Sequence, residues 1–199
     1  MKKLVYLLFI FMIATAIIAQ ENTLLGDGEI EHGGFGAPVV KFTSINNEFA
    51  LLVGGRGGWI INHTFTLGGG GYGLVNEIDM GTNSDGIGTR LMMGYGGFEM
   101  GMILSSNQIL HMRMNLLIGA GAVNVAEKNA DDWFDNDNNN NDSFFILEPS
   151  FGMELNVTTF FRFDVGVSYR FVSGVNYFGL ENEDLAGPSA DITLKFGEF

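Results

Sequence analysis

The sequence predicts an all-β fold: eight antiparallel strands in up-and-down order, closed into a barrel and long enough to cross a membrane. Three observations carry this. From Leu110 to Ala122 every second residue is apolar: Leu110, Met112, Met114, Leu116, Ile118, Ala120 and Ala122. A period of two puts these residues on one face of a strand, and the run is too long for an ordinary globular strand. The chain also holds 29 glycines with no collagen-like period, and is 46% hydrophobic although no apolar run after the first 19 residues could form a membrane helix. Finally, the connectors alternate in length, as they do when short turns lie on one side of a membrane and long loops on the other.

The elements follow in chain order. Lys2 and Lys3 precede an unbroken apolar run, Leu4 to Ala19, and Gln20-Glu21-Asn22 returns to polarity. That is the pattern of a secretory signal over 1–19, cleaved after Ala19; the run falls short of the roughly 20 apolar residues of a retained anchor helix. With no cysteine, the chain has no lipid anchor, disulfide or thiolate chemistry. Losing Lys2 and Lys3 leaves 8 basic against 23 acidic residues, and 180 residues suit one domain. An acidic arm over 20–34 precedes the barrel, 35–199.

The eight strands are expected at 35–45, 48–57, 63–77, 88–105, 109–125, 143–157, 159–173 and 187–199. Ser105-Ser106-Asn107-Gln108 and Val157-Thr158 are tight turns, whereas Glu77–Gly86, Lys128–Asp142 and Ser173–Gly187 are long and polar. Ile45-Asn46-Asn47 makes an unusually short first outer loop, and Arg56–Asn62 a somewhat long inner turn. Two irregularities stand out. Arg90 shares the parity of Phe98, Met100 and Met102, which a bulge or an early strand end would resolve. Pro149 interrupts the sixth strand on its apolar face, so a bulge or irregular pairing is expected there.

Alternation alone does not say which face points outward. A soluble barrel or sandwich would bury the apolar set. Glycines on the polar face (Gly101, Gly119, Gly121, Gly152, Gly166) favour the inverted arrangement, because a narrow eight-stranded interior needs small residues. So does charge balance on that face. Lys41, Arg56, Arg113, Arg162, Arg170 and Lys195 oppose Glu99, Glu148, Glu154, Asp164 and Asp191, although the chain is strongly acidic. A poorly solvated lumen demands such local neutrality. His111 belongs to the same face. The bland reading of this network is a salt-bridged plug, and the functional one is a solute path.

Signal, alternating strands and the ending Leu194-Lys195-Phe196-Gly197-Glu198-Phe199 resemble a small outer-membrane β-barrel protein of a diderm bacterium. The likeness is to eight-stranded barrel domains of the OmpA, OmpX or OmpW kind, with a Bacteroidetes character. The resemblance implies placement in outer-membrane lipid with both chain ends periplasmic. It also implies that Ile192, Leu194, Phe196 and Phe199 form the signal read by the barrel-assembly machinery. Phe199 departs from the usual pattern, being out of phase with Phe196.

Other patterns carry less. Asp135, Asp137 and Asn139, in the Asp/Asn-rich segment 131–142, have the alternate spacing of the first ligands of a calcium loop, but the turn glycine and bidentate glutamate are missing. They leave open a divalent cation or extracellular ligand at the loops, as does Trp133-Phe134. Gly68–Gly73 matches G-x-G-x-x-G without the helix that fingerprint needs, and Gly55-Arg56-Gly57-Gly58 is a single RGG fragment in an acidic chain; no cofactor and no nucleic-acid partner is expected. His32 lies in the arm, His63 at a strand start and His111 on the lumen face, where it could converge on Ser150 or Ser168 as could many other pairs, and no nucleophile elbow is present. The expected role is structural or interactive, with a narrow channel as the alternative and a barrel-embedded enzyme third.

Overall fold

The computed structural model of the protein describes residues 30–128, 141–177 and 179–199. The signal segment, most of the acidic arm, Trp133, Phe134 and the calcium candidates Asp135, Asp137 and Asn139 lie outside the described residues. The strands are β1 (His32–Ile45), β2 (Glu48–Ile61), β3 (Phe65–Leu74), β4 (Asp79–Thr82), β5 (Gly88–Leu104), β6 (Leu110–Glu127), β7 (Asp142–Asn156), β8 (Phe161–Ser173) and β9 (Gly187–Glu198). Their order is β3-β2-β1-β9-β8-β7-β6-β5, and β3 also pairs with β5. Eight long strands therefore close on themselves with no free edge, every pairing antiparallel. The short β4 pairs with β5 where β3 has ended.

The faces are inverted relative to a soluble barrel. Phe42, Trp59, Phe98, Met112, Phe151, Val167 and Phe196 are all exposed, while the alternating residues are buried. On the outward parity of the strands the charges are Asp79, Arg90 and Glu198, all near strand ends. An aqueous protein of this size does not expose a continuous apolar band on every strand.

Several details differ from expectation, each for a physical reason. β1 starts three residues before Phe35, because His32 pairs with Ile61 and packs in a tilted arrangement on Trp59 at 5.1 Å between ring centroids. β2 runs on to Ile61, so Arg56–Ile61 is ladder and the inner turn shrinks to Asn62-His63-Thr64, with Asn62 and His63 at positive φ. The expected loop 77–86 holds β4, whose Asp79 pairs with Arg90. The β4–β5 register shifts between Asp79 and Thr82, beside Arg90, while β5 and β6 keep one register from Thr89–Glu127 to Leu104–Met112; Arg90 lies past the apolar band with Glu77 at 3.5 Å. At Pro149 the expected irregular pairing is present, without a bulge. The β7–β8 ladder skips Glu148 and Pro149 and resumes in the same register at Ser150–Ser168. Pro38 leaves a like gap between β1 and β9. Proline removes one N–H, and here the loss stays local.

Candidate functional site

The interior is built from inward positions on all eight strands and changes chemistry along the barrel axis. At the end bearing the carboxyl terminus, Glu154 is fully buried and accepts from Lys195 Nζ at 2.5 Å, Arg162 Nη1 at 2.8 Å and His111 Nε2 at 3.1 Å. The other ring nitrogen of His111 lies 3.1 Å from the Gln108 carbonyl. Phe199 lies just past β9, beyond the ladder, and its ring covers the Arg162 guanidinium at 3.9 Å. It therefore faces inward, unlike the exposed Ile192, Leu194 and Phe196. This is the phase difference from Phe196 that the sequence shows, and it follows from the odd parity of Phe199.

Midway, Arg113 is nearly fully buried and reaches three strands at once. Its Nε donates to Asp164, its Nη2 to Asp191 at 2.8 Å, and its Nη1 to Ser150 at 3.1 Å. Arg56 bridges Asp164 at 3.0 Å and Glu99 at 3.3 Å. Gly152 and Gly166 face Arg113. A Cβ on Gly166 would stand 2.6 Å from Arg113 Nη2, so the guanidinium fits only because that side chain is absent. Above it, Glu148 accepts from Lys41 at 2.7 Å, Tyr95 at 2.8 Å and Ser168 at 2.5 Å, and the Lys41 ammonium lies 3.6 Å over the Tyr72 ring. The described space among Lys41, Arg56, Glu99, Glu148 and Asp191 amounts to about 10 Å³, room for one water at most.

Thus Lys41, Arg56, Glu99, His111, Arg113, Glu148, Glu154, Arg162, Asp164, Arg170, Asp191 and Lys195 are all buried on the inner face. Arg170 is the exception in pairing. It donates to the Leu185 carbonyl at 2.7 Å, and its Nη2 lies 3.5 Å from Thr43 Oγ1, but no carboxylate reaches it. Its Nη1 is buried without a hydrogen-bond partner.

Sequence reasoning missed two groups here. Tyr72 and Tyr95 complete the network: Tyr95 shares the parity of Glu99 on β5, whereas β3 carries no charge to mark the inner face for Tyr72, and Ser168, read as a possible partner of His111, serves Glu148 instead. The second group is apolar. Beyond Arg170 the interior is lined by Leu52, Leu91, Met93, Val123, Phe144 and Ile146, covered by Ile78, Val175, Leu180 and Leu185 from the connecting segments. Leu185 ends a single helical turn, Asn182–Leu185, closed by a capping box between Glu181 and Asp184.

At this far mouth most charged residues are acidic. Glu48, Glu77, Asp79, Asp85, Glu127, Asp142, Glu181, Glu183 and Asp184 face only Arg90 and Lys128 among the described residues. Lys128 Nζ lies 2.8 Å from Asp79. The Lys128 hydrogen bond, then that from the Gly81 N–H, lowers the Asp79 carboxyl, and Asp79 in turn raises Lys128.

The enzyme reading finds no geometry among the described residues: Ser150 serves Arg113, Ser168 serves Glu148, and His111 touches neither. His63 pairs with Glu31 at the exposed inner turn. Gly68–Gly73 lie within β3, paired on both sides. Arg56 of the RGG fragment is buried in the interior. No group of three or more metal-ligating side chains occurs among the described residues.

No family model matches the sequence, and no curated protein matches it. Solved structures do. Neisserial surface protein A aligns over 86% of this chain and 99% of its own, with a TM-score of 0.55 and 11% identity. Ail, the attachment invasion locus protein of Yersinia pestis, in complex with the heparin analogue sucrose octasulfate, aligns over 83% and 97%, with a TM-score of 0.50 and 10% identity. Ail is an outer-membrane protein also solved in a phospholipid bilayer nanodisc. At such identities the likeness speaks for the fold. The chain is an all-β, closed, eight-stranded antiparallel barrel similar to outer-membrane barrel proteins.

Proposed function

We propose that the protein is an integral outer-membrane barrel with a closed, salt-bridged lumen, both chain ends periplasmic, and a structural or surface-interaction role. Residues 1–19 act as its secretory signal. The observation that carries this reading is the outer face: apolar on every strand, with charge only near strand ends, which suits lipid and not water. The closed lumen is supported by the buried charge network and the small space left within it. In this reading Ile192, Leu194 and Phe196 present the terminal strand to the barrel-assembly machinery, while Phe199 serves the interior. The acidic mouth favours a cationic partner, a divalent ion or a basic protein surface, and disfavours a polysulfated anion such as the one Ail holds.

The test combines two measurements on refolded protein. An unheated sample should migrate differently from a heated one in a mild detergent gel, and the same sample should be silent in a planar bilayer. Identical migration would overturn the membrane barrel. Reproducible conductance steps would replace the closed lumen with a pore, with Glu99, Arg113, Glu154 and Arg162 as its first residues to mutate.

A further inference from the structure

We propose that the far half of the interior is a binding chamber for a medium-chain fatty carboxylate, occupied in this structure by the protein's own β8–β9 segment. This goes beyond the closed-lumen reading, since the charge network below the chamber still blocks passage.

The argument starts from the change in chemistry along the axis. Above the row of Tyr95, Glu148 and Arg170, two successive inward positions are apolar on several strands: Leu91 and Met93 on β5, Phe144 and Ile146 on β7, Ala50 and Leu52 on β2. A plug made of ion pairs has no need of an apolar layer at one end, and among the described residues this layer is covered by connecting segments. The cover here is not a strand. Leu180 and Leu185 come from the segment between β8 and β9, which bends at Gly174 (φ 104°) and Gly179 (φ 77°), positions that favour glycine. The Asn46 N–H donates to the Asp184 carbonyl at 2.7 Å, and Arg170 to that of Leu185 at 2.7 Å.

Arg170 then gives the well a polarity. Among the described residues it is the one interior cation without a carboxylate in ion-pair reach; it is fully buried, its guanidinium lies 5.7 Å from the Tyr95 ring, and its Nη1 has no hydrogen-bond partner. A planar guanidinium with a spare donor at the floor of an apolar well is complementary to a carboxylate bearing an alkyl chain. The carboxylate would replace the Leu185 carbonyl as acceptor, and the chain the leucine side chains as filler. Two inward rows cover four residues, about 13 Å along a strand and about 10 Å along the axis at a ~40° tilt. That depth suits a chain of about eight carbons.

Octanoate is therefore the probe, with octanol and octyltrimethylammonium as controls, titrated calorimetrically into the refolded chain in nanodiscs and into empty discs. Two variants sharpen the test. Asn46→Cys with Asp184→Cys gives the cysteine-free chain a disulfide that ties the cover shut, and Arg170→Gln removes the charge. Octanoate should saturate at one per barrel, lose at least tenfold in affinity when the disulfide forms, and recover on reduction. Arg170→Gln should cost octanoate at least tenfold and leave octanol unchanged. Uptake no different from empty discs, equal affinity with the cover locked, or equal affinity for octanoate and octanol would each overturn the proposal. Should Arg170→Gln lose its heat-dependent mobility, the disulfide arm decides alone.

Discussion

Replacing Glu154 by glutamine tests whether the interior charges hold the barrel together. The substitution keeps size and shape but removes the one carboxylate shared by Lys195, Arg162 and His111. Neither Lys195 nor Arg162 has a second carboxylate in ion-pair reach among the described residues; each is left with an aromatic ring, Phe35 at 4.7 Å and Phe199 at 3.9 Å. Removing one partner of a buried pair costs about 3–5 kcal/mol, because the remaining charge stays desolvated. Two cations are stranded here, so the upper part of that range applies. With a urea slope of ~2 kcal/mol per molar, the midpoint of reversible unfolding in lipid vesicles should fall by about 2 M. The double change Glu154→Gln with Lys195→Met should recover much of the loss, since an apolar side chain leaves one fewer charge stranded. A fall in midpoint below about 0.5 M for the single variant would mean that water reaches Lys195 and Arg162, and would refute the buried network.

Two further predictions probe sterics and pH. Gly166→Ala should destabilise by about 1–3 kcal/mol, because its Cβ would meet Arg113 Nη2 at 2.6 Å and Asp191 Oδ1 at 2.8 Å, and Arg113 is pinned by three partners. Gly36→Ala, with nothing within 4 Å of the new Cβ, should be within about 0.5 kcal/mol of the parent; equal effects in the same unfolding assay would contradict the packing around Arg113. At the mouth, Asp79 is lowered by its bonds from Lys128 and Gly81, so its stabilisation of β4 is full above the ordinary carboxylate value of about 3.9 and is lost as pH falls through the lowered one. Lys128 is raised, so its share is full below about 10.4 and is lost as pH rises through the raised value. The Gly81 amide resonance should therefore hold steady between those limits and move beyond each, and a shift near neutral pH would exclude the pair.

How much of this was legible depends on periodicity. The alternation from Leu110 to Ala122 fixes both faces of β6, and the same kind of alternation on β7, β8 and β9 groups Glu148, Glu154, Arg162, Asp164, Arg170, Asp191 and Lys195 on one face from the sequence alone. Strand ends were less legible, since the hydrogen-bonded ladder of β2 continues through Gly57 and Gly58, residues that read locally as turn formers. The cover of the far mouth was not legible at all. Ile78, Leu180 and Leu185 lie in connectors with no period, and only the closed barrel gives each of them an apolar surface to meet. Tyr95 lies between: it shares the parity of Glu99, yet a tyrosine suits either face of a strand, and its hydroxyl becomes informative only once Glu148 stands 2.8 Å away.

The charges inside the barrel do more for register than for raw stability. A buried ion network often holds a fold no better than an apolar core of equal volume would. An apolar interior, however, would leave these strands without a distinction between their faces. β8 would then read Phe161 to Phe171 apolar throughout, and a slip of one residue would cost little. With Arg162, Asp164 and Arg170 in place, the same slip turns all three toward the outside. If the outer face meets lipid, as proposed, a cation at the midplane costs about 2–4 kcal/mol, on top of the stranded partners left inside. The side chains that fill the lumen are thus also the ones that make each misregistered closure unfavourable, and the glycines opposite Arg113 are what allow them to fit.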